Sequence, residues 1–192
     1  MMNYNNETSK KIMKVALNLF SEKGYYPTTT KEIAKEAGVN ELTLFRHFGS
    51  KAHLFQVTTE HYVTDSQVDG ILSGTTELDF EASMMLITFR IYELYMKNRK
   101  LYKVQMKLAD DEREFVKLKL SRKLIDVLEF YFTTLKEQSK IKGDPQLMAL
   151  TLINSLLGAL TVEILGDDTI TDRSWEELVK EHTKQFVALY KI

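Results

Sequence analysis

The chain has no cysteine. That excludes a disulfide framework, a CxxC redox centre and a zinc ribbon, and it fits a reducing compartment. Proline occurs twice and glycine eight times in 192 residues. No stretch reaches about 18 consecutive apolar residues, the length of a membrane-spanning helix. The most apolar one, Leu147 to Leu165, is broken by Thr151, Asn154, Ser155, Thr161 and Glu163. The first residues, Met1-Met2-Asn3-Tyr4-Asn5-Asn6-Glu7, lack the basic start and apolar run of a signal peptide. A soluble cytoplasmic protein without a membrane partner is therefore expected. Catalytic signatures are missing too. There is no Gly-rich phosphate loop, no nucleophile elbow and no HExxH. His61 and Asp65 stand at i, i+4, but two ligands without a third make no metal site. No enzyme, metal or cofactor is expected.

What is present suits a packed domain. The chain is 44% hydrophobic and 28% charged with a net charge of −1, a balance that excludes disorder as the main state. At about 150 residues per domain, one or two domains fit. The charge is unevenly spread. Residues 1–55 hold eight Lys and Arg against five Glu, a net +3, and the remainder carries −4. A basic head on an acidic body suits a polyanionic partner.

Apolar residues recur at helical spacing and nowhere alternate at period two, so the fold class is all-α, with about nine helices. Ile12, Val15, Ala16, Leu19 and Phe20 share one face of a first helix, about Glu7 to Glu22, stopped by Gly24. Thr29-x-x-Glu32 is a capping box opening a short helix, about Thr30 to Ala37. Asn40 can cap the next, about Glu41 to Phe48, and Ser50 a fourth that runs toward Gly70. A loop is expected near 71–78. Further helices are expected over Phe80 to Met96, Leu101 to Leu108, Asp110 to Lys140, Gln146 to Leu165 and Trp175 to Tyr190. Pro145 at a first helical position and a second capping box, Ser174 with Glu177, mark two of the starts.

Thr29 to Phe48 has the form of a helix–turn–helix. Ala37-Gly38-Val39-Asn40 joins two short helices; Gly38 supplies the turn conformation, and Val39 and Leu44 can plug the angle between the helices. This arrangement offers its second helix to a major groove. An ordinary helix pair in a bundle has the same outline.

Residues 12–55 resemble the N-terminal domain of the TetR family of transcriptional regulators. The resemblance rests on Ile12 to Phe20, Glu22-Lys23-Gly24-Tyr25, Thr28-Thr29, Glu32-Ile33-Ala34, Ala37-Gly38-Val39, Thr43-Leu44-Phe45-Arg46-His47-Phe48 and Ser50-Lys51. It implies a helix–turn–helix DNA-binding domain at 1–52 and a helical ligand-binding and dimerisation domain at 53–192. It further implies a homodimer on near-palindromic double-stranded operator DNA, usually a repressor released by a small ligand. The residues expected at DNA are Thr29, Thr30, Lys31, Asn40, Glu41, Thr43, Phe45, His47 and Lys51. Lys51 would hold a phosphate, as would Thr29 at its helix cap. Thr43 and Glu41 are candidates for base edges. Two positions depart from the family pattern. Phe45 stands where Tyr is common, removing one hydroxyl, and Asn40 where Ser is common. Loss of specific DNA reading, leaving a helical ligand-binding or scaffold module, is the alternative.

The middle helices are rich in Met and aromatic side chains. Met84, Met85, Phe89, Tyr92, Met96, Met106, Phe130 and Tyr131 could line a pocket for a small apolar effector; a plain core needs the same residues. Arg90 and Glu93 share the first of these helices; if buried, they must pair or meet a polar ligand group, and otherwise they are solvated or interfacial. Leu150, Ile153, Leu157, Leu160 and Ile164 form a stripe that Phe186 and Leu189 extend, the expected dimer interface.

Overall fold

The computed structural model describes residues 4–63, 67–108, 119–166 and 171–192. Among them are nine α-helices: α1 (Glu7–Lys23), α2 (Thr30–Glu36), α3 (Glu41–Phe48), α4 (Lys51–Val63), α5 (Phe80–Lys97), α6 (Arg99–Met106), α7 (Lys119–Glu137), α8 (Pro145–Leu165) and α9 (Trp175–Tyr190). A short 3-10 turn, Gln67–Gly70, precedes the expected loop before α5. The expected Asp110 to Lys140 helix is seen as α7; Asp110, Asp111, Glu112, Glu114 and Phe115 lie outside the described residues, as does Asp65.

The ends of the helices follow their capping residues. Asn6 accepts from the Ser9 amide at 2.8 Å, Asp144 from Leu147 at 2.8 Å, and Ser174 with Glu177 completes a reciprocal capping box. Gly24 ends α1 with φ 90°, where a side chain would be strained. Ser50 accepts from the His53 amide at 3.0 Å and starts α4.

Contacts divide the chain into two compact units, Met1–Asp65 with Asn98–Lys117 and Ser66–Lys97 with Leu118–Ile192. The first unit therefore passes the expected 52/53 boundary, which falls inside α4. The reason is packing: Leu54 and Phe55 of α4 and Leu101 and Val104 of α6 join one buried cluster with Ile12, Ala16, Leu19 and Phe20 of α1. Ile33 and Ala34 of α2 and Leu44 and Phe48 of α3 complete it. In the second unit, Met84, Ile87 and Ile91 of α5 are buried, as are Leu124, Leu128 and Phe132 of α7. Met148, Leu152 and Leu156 of α8 and Val179 and Val187 of α9 are buried as well.

By length and composition Pro145–Glu163 is apolar enough to cross a membrane despite its interrupting polar residues, and only 33% of it is buried. Its exposed positions among the described residues are Gln146, Leu147, Asn154 and Gly158.

Candidate nucleic-acid interface

The interface is built from α2, the turn and α3. Thr29 caps α2 with its hydroxyl oxygen, which accepts from the Glu32 amide at 3.1 Å. The Glu32 carboxylate makes its main bond to Lys23. That hydrogen bond holds its pKa below the usual carboxylate value, and the Thr29 backbone amide adds a smaller lowering. Gly38 turns the chain at φ 63°. Leu44 is fully buried and Val39 packs on the same cluster, so both fill the angle between the helices as expected. Asn40 then caps α3, its side-chain oxygen accepting from the Leu42 amide at 2.9 Å.

Two side-chain bonds fix the orientation of α3. The Thr30 hydroxyl donates to the Glu41 carboxylate at 2.7 Å, tying α2 to α3. Ser9, fully buried on α1, bonds His47 Nδ1 at 2.8 Å. Both expected DNA contacts, Glu41 and His47, thus have structural partners. Helix geometry decides what remains outside: with Leu44 and Phe48 pointing inward, the opposite face holds Leu42, Phe45 and Arg46. Leu42 is 68% and Phe45 41% exposed. Large apolar side chains left in solvent on a short, doubly fixed helix suit contact with thymine methyls and sugars. Leu42 and Arg46, which are not among the expected contacts, share this exposed face. The signal was available, since the i, i+4 pair Leu44 and Phe48 defines the buried face.

Lys51 is placed differently from its expected role. Its ammonium donates to the carbonyl oxygens of Tyr25 at 3.0 Å, Tyr26 at 3.3 Å and Thr28 at 3.0 Å, and lies over the Tyr25 ring. An ammonium has three protons to donate, and three carbonyls take them. Lys51 holds the turn that leads into α2. Thr29, Lys31 and Asn40 are exposed, and Thr30, Glu41 and Thr43 half-buried.

The effector residues scatter. Met84 is fully buried core, and Met106 belongs to α6 in the first unit. Met85, Phe89, Tyr92 and Met96 are half-buried along α5. Burial and the neighbouring Glu163 carboxylate push the Tyr92 phenol up to about 12; its hydroxyl donates to Glu163 at 3.4 Å. Arg90 does not pair with Glu93. Its guanidinium donates to the carbonyls of Gly70, Ile71 and Ser73 and holds the loop before α5. Phe130 and Tyr131 line a cavity of about 630 Å³ with Leu72, Leu78, Phe80 and Leu135. Burial raises the Tyr131 pKa.

The expected dimer stripe is partly core. Ile153, Leu160 and Phe186 are buried in their own chain, Phe186 beside Phe132 at 5.9 Å between ring centroids. Leu150 and Leu157 are half-buried and Leu189 exposed. The Ile164 side chain lies outside the described residues. No cluster of three or more potential metal ligands occurs among the described residues.

Comparison with known proteins agrees with this geometry. Residues 12–58 match the family described as bacterial regulatory proteins, tetR family. The chain is 24% identical over 183 residues to the HTH-type transcriptional regulator YvkB of Bacillus subtilis, covering 94% of this chain and 95% of that protein. Its fold is similar to the fatty acid degradation regulator FadR from Bacillus halodurans, with a TM-score of 0.76 at 21% identity over 96% of this chain and 97% of that one. It is also similar to SmeT in its triclosan complex, with a TM-score of 0.72 at 17% identity over 97% and 93%. Residues 12–58 carry the helix–turn–helix DNA-binding domain of the TetR family, and the whole chain is similar to regulators with that domain.

Proposed function

We propose that the chain is a ligand-responsive repressor that reads a palindromic operator as a homodimer. The observation that carries the reading is the outward face of α3, where Leu42 and Phe45 stand in solvent on a helix fixed by Thr30–Glu41 and Ser9–His47. Thr43, Arg46 and Lys31 border this face, and exposed caps at Thr29 and Asn40 can meet phosphate. Phe45 offers its ring to sugar and methyl groups in place of a tyrosine hydroxyl.

One α3 covers only a few base pairs, so two copies are needed for affinity. The exposed side of α8 supports the second copy. Leu147, Asn154 and Gly158 are exposed there, Leu150 and Leu157 are half-buried, and Leu189 of α9 is exposed. The effector is a small apolar molecule. Phe130 and Tyr131 line the cavity that suits it, and a volume of about 630 Å³ is of drug-ligand size. SmeT, whose fold is similar, is known in complex with triclosan, which supports a small-molecule effector. Effector binding shifts the population away from the DNA-competent state.

The test is selection of bound duplexes from a random pool with the full chain. The expected result is one enriched, two-fold symmetric motif bound by two chains. A pool that stays random, with weak binding throughout, would instead favour a helical ligand-binding module without DNA reading.

A further inference from the structure

α1 carries Lys10, Lys11 and Lys14, all exposed and spaced i, i+1, i+4 on its solvent side. With Glu7, Thr8 and Val39 they line a groove of about 450 Å³ between the first turns of α1 and the turn that precedes α3. The Lys11 ammonium lies 3.4 Å from where a Cβ on Gly38 would stand, so it rests against the helix–turn–helix turn itself. The start of α1 is tied to α3 through Ser9 and His47. The three lysines are therefore held in a fixed relation to the reading helix.

They are gathered in one groove, whereas several other cations of this unit are taken up by partners. Lys23 pairs with Glu32, and Lys51 is held by three carbonyls. Lys107 donates to the carbonyls of Ser21 and Glu22, and Lys100 to the Asn18 side chain. Among the described residues Lys10, Lys11 and Lys14 have no such partner, and Glu7 is the one acid in their groove. Like charges gathered without counter-charge repel one another, and a row of phosphates removes that repulsion.

Resting on the reading of α3 as the DNA-reading helix, we propose that Lys10, Lys11 and Lys14 form a second phosphate-binding site. It grips the DNA backbone beside the half-site and extends the footprint past α3. Its contribution is independent of base sequence.

The experiment measures affinity against salt for the full-length chain on a long random-sequence duplex, by fluorescence anisotropy. Each neutralised phosphate contributes about 0.9 to the slope of log affinity against log salt. The triple variant K10Q/K11Q/K14Q should lower that slope by about 2.7 per chain. A control with the same charge loss in the second unit, K123Q/K136Q/K180Q, should leave it unchanged. Equal slopes for the triple variant and the wild type would overturn the second site while leaving the reading by α3 intact. An equal fall in the control would also overturn it, assigning the effect to overall charge. A wild-type chain with no salt-dependent binding would overturn the DNA reading itself, and the site with it. All six lysines are exposed, so unchanged circular dichroism melting is expected for both variants.

Discussion

The Lys51 ammonium sits 4.2 Å from the centroid of the Tyr25 ring and donates to the carbonyl oxygen of the same residue at 3.0 Å. With the Tyr26 and Thr28 carbonyls it closes the turn between α1 and α2 from the first residue of α4. Lys51→Gln removes the charge and most of these bonds. It should lower stability by about 1.5–3 kcal/mol, the range for hydrogen bonds to charged groups. The salt slope of DNA binding should stay the same. A melting temperature like the wild type, with a slope lower by about 0.9, would make Lys51 a phosphate contact instead.

Glu41 offers a second test. Its carboxylate accepts from the Thr30 hydroxyl, so Thr30→Val and Glu41→Gln should be coupled. A double-mutant cycle on unfolding should give an interaction of about 1 kcal/mol. If Glu41 instead reads a base edge, the two changes will be additive in stability, and Glu41→Gln alone will alter base preference at one operator position.

His182 sets a pH dependence. Its Nε2 is buried without a hydrogen-bond partner among the described residues, and burial lowers its pKa from the ordinary value of 6.5. Between the folded pKa and 6.5 the unfolded chain binds more protons than the folded one, so stability falls as pH drops below 6.5. The expected result is a folded-state imidazole titration below 6.5 by NMR and a loss of melting temperature across that window. His182→Gln should flatten that loss. An imidazole titrating at or above 6.5 would contradict the assignment.

The cavity beside Phe130 and Tyr131 makes a separable prediction. Phe130 is 72% exposed, so Phe130→Ala should change stability little. It should weaken binding of an apolar probe such as triclosan at least several-fold by calorimetry. Unaltered affinity would place the effector elsewhere, for example along Met85, Phe89 and Met96.

Much of the fold was legible because its signals are local. Thr29, Asn40, Ser50 and Ser174 cap helices whose starts they mark, and Leu44 and Phe48 point inward as their spacing requires. What escaped depends on residues distant in sequence. Nothing near Lys51 shows that its protons go to carbonyls 23 to 26 positions earlier. Nothing near His47 points to Ser9. The apolar stripe of α8 did not reveal that Ile153 and Leu160 would turn into their own chain while Leu147 and Gly158 stayed outside. A periodic stripe marks a buried face, but it does not say which neighbour does the burying.

In the proposed function, DNA is read by the outward face of α3. The most direct measurement compares the wild type with Leu42→Ala/Phe45→Ala on the selected motif and on scrambled DNA, at several salt concentrations. Both side chains are exposed, so the variant should fold and melt like the wild type, within about 0.5 kcal/mol per site. The account predicts that the variant keeps its salt-dependent binding to both duplexes and loses its preference for the motif by at least tenfold. An unchanged preference in a folded variant would contradict it.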